Sequence, residues 1–286
     1  MNADRLGKGR VEAAVRVRQG WREMIPPVLM AVAWIAASLA VFALTAGWLT
    51  KRSRVFCWKL FAMALGPALL GAAYSLYYLH FLPEPAWFYQ WRSLPGSETL
   101  VLAPSVAGAA LSAVLPRWFR LLAIPAVVFL AYLPFAKPVW APLDTESLKN
   151  QWKDGAARQS TRSTCGPASA ATILIALGIP AQESELAIAA SSSGTGTEAW
   201  YLARAIRRQG AAVDFLTDVT SVVEVPLPCI AGVKLPGGTG HFIPVMERQG
   251  SRYRIGDPLR SGEWIEELDL LKRYQFTGFY MAIRLR

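Results

Sequence analysis

From Met24 to Thr50 the chain carries no charged residue. A helix rises 1.5 Å per residue, so this run is long enough to cross the roughly 30 Å hydrocarbon core of a bilayer. It is too long for the apolar core of a cleaved signal peptide. A basic link, Lys51-Arg52-Ser53-Arg54, leads to a second apolar run, Leu60 to Pro83, in which Gly66 and Gly71 allow close helix packing. Leu100–Pro116 and Leu121–Ala136 form a third and a fourth run, the last reaching span length if Lys137 snorkels. This last pair reads as two crossings or as a re-entrant hairpin. Leu82–Glu98, rich in Pro, Trp and Tyr, reads as a loop at the headgroup level. Residues 1–24 are polar and basic, a surface helix or a charged tail.

The pattern changes after Pro138. A polar linker runs to Ala157, with a domain boundary near Asp144. An apolar helix follows over Ala168–Leu177, stopped by Gly178 and Pro180. A short helix is expected at Ser184–Ala190. After Ser-Ser-Ser-Gly-Thr-Gly, Thr197 should cap a helix from Glu198 to Gln209. Beyond Gly210 the period becomes that of strands: Ala212–Leu216, Cys229–Leu235, His241–Glu247 and Arg252–Gly256. Pro244 removes a ladder donor and suggests an edge strand. A helix at Glu263–Tyr274 and a strand at Gly278–Leu285 close the chain. The expected division is a membrane domain, 1–143, of about four transmembrane helices, and an α+β domain, 144–286, with an antiparallel sheet.

Charge sharpens this division. Residues 1–143 hold 14 Lys and Arg against 5 Asp and Glu, a balance of +9, whereas residues 144–286 hold 16 against 15. Basicity confined to the apolar half suits a protein embedded in a lipid bilayer and excludes a nucleic-acid reader, whose basic patch belongs on its soluble domain. No run carries a charge near its centre, so an ion path or proton relay is not expected and anchoring is. Three cysteines far apart do not make a disulfide framework, and with two histidines and no C-x-x-C no metal site or other cofactor is expected.

Candidate chemistry centres on Cys165. It lies where a polar loop turns into an apolar helix, and the free N–H groups of a helix start favour negative charge on the sulfur. Gly166 permits the tight turn and Pro167 suits the first helical turn. A catalytic thiol needs a base, and with His80 assigned to a membrane run, His241 is left. If Gln249-Gly250 makes the hairpin turn, position 241 lies opposite 258. A bulge would then bring His241 opposite Asp257, within reach of its imidazole. Cys229 reads as a packed strand residue.

Gln159, then C-G-P-A from Cys165, then His241-Phe242 opening a strand, then Asp257-Pro258, together resemble the papain-like bacteriocin-processing cysteine peptidases, which remove double-glycine leaders. The resemblance covers residues 150–286. It implies a papain-like fold, Cys165 as nucleophile, His241 as general base and later acid, Asp257 as the carboxylate that orients His241, and Gln159 as an oxyanion donor beside the Cys165 N–H. Residue by residue there are departures. Thr164 stands where many relatives carry an acid, and the chain holds no G-x-x-x-x-G-K-[ST], the mark of the ATPase fused to exporter-linked members. The expected activity is cleavage of a peptide or protein substrate. Acyl transfer or deamidation on the same fold, and a silent peptide-binding domain serving a separate transporter, are the alternatives. Four spans return the chain to its starting side, and the positive-inside count favours the cytoplasm for the C-terminal domain.

Overall fold

The structure, a computed structural model, describes residues 27–79, 81–116 and 118–286. The basic tail expected at 1–24 and His80 lie outside the described residues. The first half is helical: α1 (Pro27–Leu49), α2 (Arg54–Tyr78), a short α3 (Ala86–Arg92), a 3-10 turn (Ser97–Leu102) running into α4 (Ala103–Val114), α5 (Phe119–Tyr132), and a second 3-10 turn (Leu133–Phe135) leading to α6 (Ala136–Trp140). Four stretches are long and apolar enough to cross a membrane: Pro27–Leu49, Arg54–Ala73, Ser97–Val114 and Phe119–Trp140. Large apolar side chains face outward on them; Leu44, Met63 and Leu121 are 74%, 77% and 73% exposed. A water-soluble bundle avoids such a surface.

Close packing between these helices depends on one of the two expected glycines. A Cβ at Gly71 would stand 2.5 Å from the carbonyl oxygen of Leu100, so only glycine lets α2 touch the 3-10 turn, whereas Gly66 faces open space.

Leu82–Glu98 departs most from its expected place. It is not a loop lying free at the headgroups, because α3 packs against the second half of the chain. The Tyr89 ring stacks on Phe215 at 5.2 Å and tilts against Phe279 at 4.8 Å, and Phe88 meets the fully buried Trp200 edge-on at 5.9 Å. Arg92 and Arg204 both reach Glu98, at 3.3 and 2.8 Å, and Arg207 donates to Ser93 Oγ at 2.5 Å. Trp and Tyr suit any boundary between apolar and polar surroundings, so their composition alone does not distinguish lipid from protein.

The second half begins with a two-stranded hairpin, β1 (Trp152–Lys153) and β2 (Ala156–Ala157). Three helices follow: α7 (Cys165–Ala176), α8 (Glu183–Ala189) and α9 (Ala199–Arg208). Then come β3 (Ala211–Leu216), β4 (Cys229–Lys234), β5 (Gly240–Gln249), β6 (Arg252–Gly256), β7 (Gly262–Glu266), α10 (Glu267–Arg273) and β8 (Gln275–Leu285). The six strands β3 to β8 form one antiparallel sheet in the order β3-β8-β4-β5-β6-β7. Alternation along the strands feeds two cores. Ile230, Met281 and Ile283 meet Ile173, Leu174, Leu202 and Ile206 on the helical side. Val233, Ile243, Val245, Tyr253 and Ile255 pack with Leu270 and Tyr274 on the other.

Three local expectations are corrected. Residues 263–266 are a strand, not the start of a helix, because they pair with β6 from Gly256↔Gly262 to Arg252↔Glu266. Ile265 turns inward there and Glu266 outward, the period of a strand. The strand carrying Pro244 is internal, flanked by β4 and β6, and the proline is tolerated because β5 pairs with β6 only from Val245 onward. Thr197 does not cap α9. Its hydroxyl pairs with Ser192 Oγ at 2.6 Å and donates to the Ser163 carbonyl.

Candidate active site

Cys165 is the first residue of α7. The helix starts earlier than the apolar pattern alone suggests, because Gly166 and Pro167 fit its first turn, where no N–H needs an intrahelical acceptor. The loop before it is tied down from both sides. Ser160 donates to Glu183 through its backbone N–H and its hydroxyl, both at 2.6 Å, and Gln159 N donates to the Pro258 carbonyl at 3.1 Å. Small residues on α7 let it lie against the sheet: Ser169 Oγ donates to the Phe242 carbonyl at 3.0 Å, and Thr172 Oγ1 accepts from Ala157 N at 2.9 Å. The helix carrying the thiol is thus fixed to the strand carrying the histidine.

His241 Nε2 lies 3.0 Å from Asp257 Oδ1, with the histidine 5% and the aspartate 1% exposed. The Cys165 side chain lies near enough to the imidazole to help raise its pKa. With Nε2 taken by the carboxylate, Nδ1 is the nitrogen left for the thiol. Burial pulls the His241 pKa down. The hydrogen bond to Asp257 and its charge, with the Cys165 side chain nearby, outweigh burial and raise it to about 9.

Burial pushes the Asp257 carboxyl upward. Its bonds to His241, the Leu259 N–H at 2.9 Å and the Tyr274 hydroxyl at 2.8 Å overcome this and hold it below the usual carboxylate range. Arg260 Nε adds a charge 3.7 Å from Oδ2.

The two residues meet, but not as the cross-strand pair expected from the hairpin. The turn is Gly250-Ser251, since Gln249 pairs with Arg252, and a bulge between Val245 and Glu247 shifts the register. Pairing then stops, and Asp257 enters a turn closed by its own N–H to the Ser261 carbonyl. Gly256 must be glycine for this: a Cβ there would lie 2.9 Å from Ala156 Cβ and 3.2 Å from both Pro244 and Thr172.

Gln159 is placed beside the same turn through its bond to Pro258. Its Nε2 donates to the Thr161 carbonyl at 2.7 Å, and its Oε1 is buried with no hydrogen-bond partner among the described residues. An amide nitrogen carries two hydrogens, so one donor remains. Cys165 is half-buried, whereas Cys57 and Cys229 are buried. Burial pushes the Cys229 thiol up to about 12, which leaves it neutral and unreactive near pH 7. Sequence reasoning missed Tyr274, which orders Asp257 from the end of α10. No spacing signal marks a residue whose partner lies 17 positions away across a separate strand and helix. Among the described residues no group of three or more His, Cys, Asp or Glu side chains could hold a metal ion.

A half-exposed thiol at a helix start, an imidazole and a buried carboxylate in series can perform nucleophilic acyl transfer. No curated protein matches the chain. Several solved structures are similar to part of it. One is a double glycine motif protease from an AMS/PCAT transporter in complex with the leader peptide, 20% identical, covering 48% of this chain and 96% of that one, with a TM-score of 0.40. Another is the peptidase domain of Streptococcus ComA, a bi-functional ABC transporter involved in a quorum sensing pathway, 19% identical, covering 45% and 96%, with a TM-score of 0.40. A third is the N-terminal peptidase C39 like domain of the toxin secretion ATP-binding protein from Vibrio parahaemolyticus, 17% identical, covering 44% and 99%, with a TM-score of 0.35. Residues 153–284 match the family model of the Peptidase C39 family.

Proposed function

Residues 153–284 match the model of the Peptidase C39 family, and from that premise we propose that the chain is a membrane-anchored cysteine peptidase acting on a peptide or protein substrate. The observation that carries the proposal is the buried His241–Asp257 pair, 3.0 Å apart, with the partly exposed Cys165 at a helix start near the ring. In the proposed reaction the Cys165 sulfur attacks the scissile carbonyl carbon. His241, protonated by its place between thiolate and carboxylate, gives a proton to the departing amine. A thioester on Cys165 remains. His241 then takes a proton from water, whose oxygen attacks the thioester and releases the acid product and the thiolate. Asp257, held by Leu259 N and Tyr274, orients the ring through Nε2. The second Nε2 hydrogen of Gln159 and the Cys165 N–H would meet the oxyanion.

The anchoring part of the reading is supported by the four long apolar helices and their outward apolar surface. The segment between the second and third stretches packs on the C-terminal domain, so both lie at one end of the helices, as four crossings require. The charge balance supports a cytoplasmic side for that end: Arg5, Lys8, Arg10, Arg16, Arg18 and Arg22 of the tail, with Arg92, Lys137, Lys149 and Lys153, outnumber Lys51, Arg52, Arg54, Lys59, Arg117 and Arg120 on the other side.

The test is incubation of the full chain, in lipid nanodiscs, with a randomised peptide library in ¹⁸O-labelled water. Hydrolysis puts one ¹⁸O into each new C-terminus, and Cys165→Ala abolishes the products. Products without the label, or products that survive in the Cys165→Ala protein, would overturn the reading.

A further inference from the structure

A cavity of about 220 Å³ lies between the two halves of the chain. Tyr89 and Lys137 line it from the first half, and Thr197, Glu198 and Phe242 from the second. Its lining reaches the start of the helix that carries the nucleophile: a Cβ at Gly166, directly after Cys165, would stand 3.4 Å from Phe242 Cδ2 and 3.8 Å from Thr197 Cβ. Its volume suits one or two side chains and falls short of a typical small-molecule pocket.

The facing wall is the end of the apolar helices. Lys137 lies in the last turns of the fourth long stretch, and Tyr78 ends α2. The Lys137 N–H donates to the Tyr78 hydroxyl at 3.1 Å, its Nζ sits 4.7 Å from the centre of that ring, and the same Nζ pairs with Glu198 at 2.5 Å. The domain is held in this place. Arg92, 1% exposed, shares Glu98 with Arg204, and Arg204 also donates to the Arg92 carbonyl at 2.6 Å and to Ser97 Oγ at 2.9 Å. Separating such a buried cluster strands charges without partners, so the domain does not swing on a tether. From Lys137 the path to the helix start that carries the thiol runs through Glu198, its neighbour Thr197 and Gly166. Summed over these contacts it is on the order of 15 Å, about five residues of extended chain.

We infer that the substrate is a peptide or protein with an apolar segment embedded in the membrane, cut within about five residues of that segment, with a side chain beside the cut entering the cavity. This rests on the peptidase reading. The first half is then one wall of the substrate cleft as well as an anchor, and the site is incomplete without it.

The experiment uses the full chain in nanodiscs. The probe is a library of randomised octapeptides fused to a Leu/Ala-rich transmembrane helix through Gly-Ser spacers of about 0, 10 and 20 residues, beside the same octapeptides without a helix. Cleavage is followed by mass spectrometry. Every anchored probe gains local concentration at the membrane, so the spacer series isolates reach from concentration. The expected result is cleavage at least about tenfold faster with the shortest spacer than with the longest, and fastest within the octapeptide positions nearest the helix. Equal rates at all spacer lengths, or an optimum at the longest spacer, would overturn the inference and leave the peptidase reading standing. Failure to cleave any probe, anchored or free, would sink both.

Discussion

Replacing Asp257 by Asn removes one negative charge from beside His241 and keeps nearly every contact. The Asn oxygen would go on accepting from His241 Nε2 and Leu259 N, and the new amide would donate to the Tyr274 hydroxyl, which now donates to Oδ2. The charge is what sets the imidazole. His241 is raised from 6.5 to about 9 although burial pulls the other way, a lift worth roughly 3 kcal/mol at 1.36 kcal/mol per pH unit. Asp257 and Cys165 share that lift. Losing the Asp257 charge takes away part of it, so the titration moves down. The imidazolium is the acid of the first step, so activity is lost as pH rises through its pKa. The assay is kcat/KM against pH, from about 5 to 10. Wild type should hold its alkaline limb near 9, and Asp257→Asn should show it at lower pH, with turnover falling by as much as about 10⁴-fold, the scale of the same change in a serine triad. Stability follows the same sign. The raised His241 contributes fully below about 6.5 and loses its contribution as pH climbs through about 9. The depressed Asp257 contributes above its ordinary range and loses its contribution in acid. An alkaline limb unchanged in the Asn variant would refute this account of the site's electrostatics.

Tyr274→Phe removes one donor from the buried carboxylate, an interaction of about 1.5–3 kcal/mol for a charged group; turnover should fall by about tenfold with KM unchanged, and steady-state kinetics on the folded variant checks it. Gly256→Ala forces a Cβ to within 2.9 Å of Ala156 Cβ and should cost about 1–3 kcal/mol in thermal unfolding, with activity falling as the Asp257 turn is displaced. Cys229→Ser should keep full activity, since a thiol with no exposed surface in β4 supplies packing alone; peptide turnover measures this, and loss of activity without loss of fold would contradict it.

The place of the thiol was legible because the change from a polar loop to a run of small apolar residues at Cys165 is a local event. Alternation alone separated the helices from the sheet. The meeting of His241 and Asp257 was legible only in outline: both close one hairpin, but a displaced turn, a bulge and a further turn bring them together, and none of these has a distinctive residue signal. Residues 263–266 misled because Gly-Glu-Trp-Ile-Glu precedes a true helix and contains good helix formers, while its pairing with β6 is a non-local fact. Gly262 marks another non-local contact, since a Cβ there would collide with the Asp154 carbonyl, between β1 and β2, at 2.0 Å. The docking of α3 was hidden for another reason. Aromatic residues at a membrane surface and at a protein interface serve the same physical need, and only the partner rings Trp200, Phe215 and Phe279, more than a hundred residues away, decide between them.

The central claim is that Cys165 is a nucleophile made reactive by His241, and it can be tested without knowing the substrate. The full chain in nanodiscs is treated with limiting iodoacetamide near pH 7, quenched at intervals and mapped by peptide mass spectrometry, beside a His241→Ala protein. The account predicts that Cys165 is alkylated first, that Cys57 and Cys229 stay unmodified while the protein is folded, and that alkylation of Cys165 slows by at least about tenfold in the His241→Ala protein. Equal rates at Cys165 in the two proteins, or a Cys165 that resists alkylation in both, would contradict it.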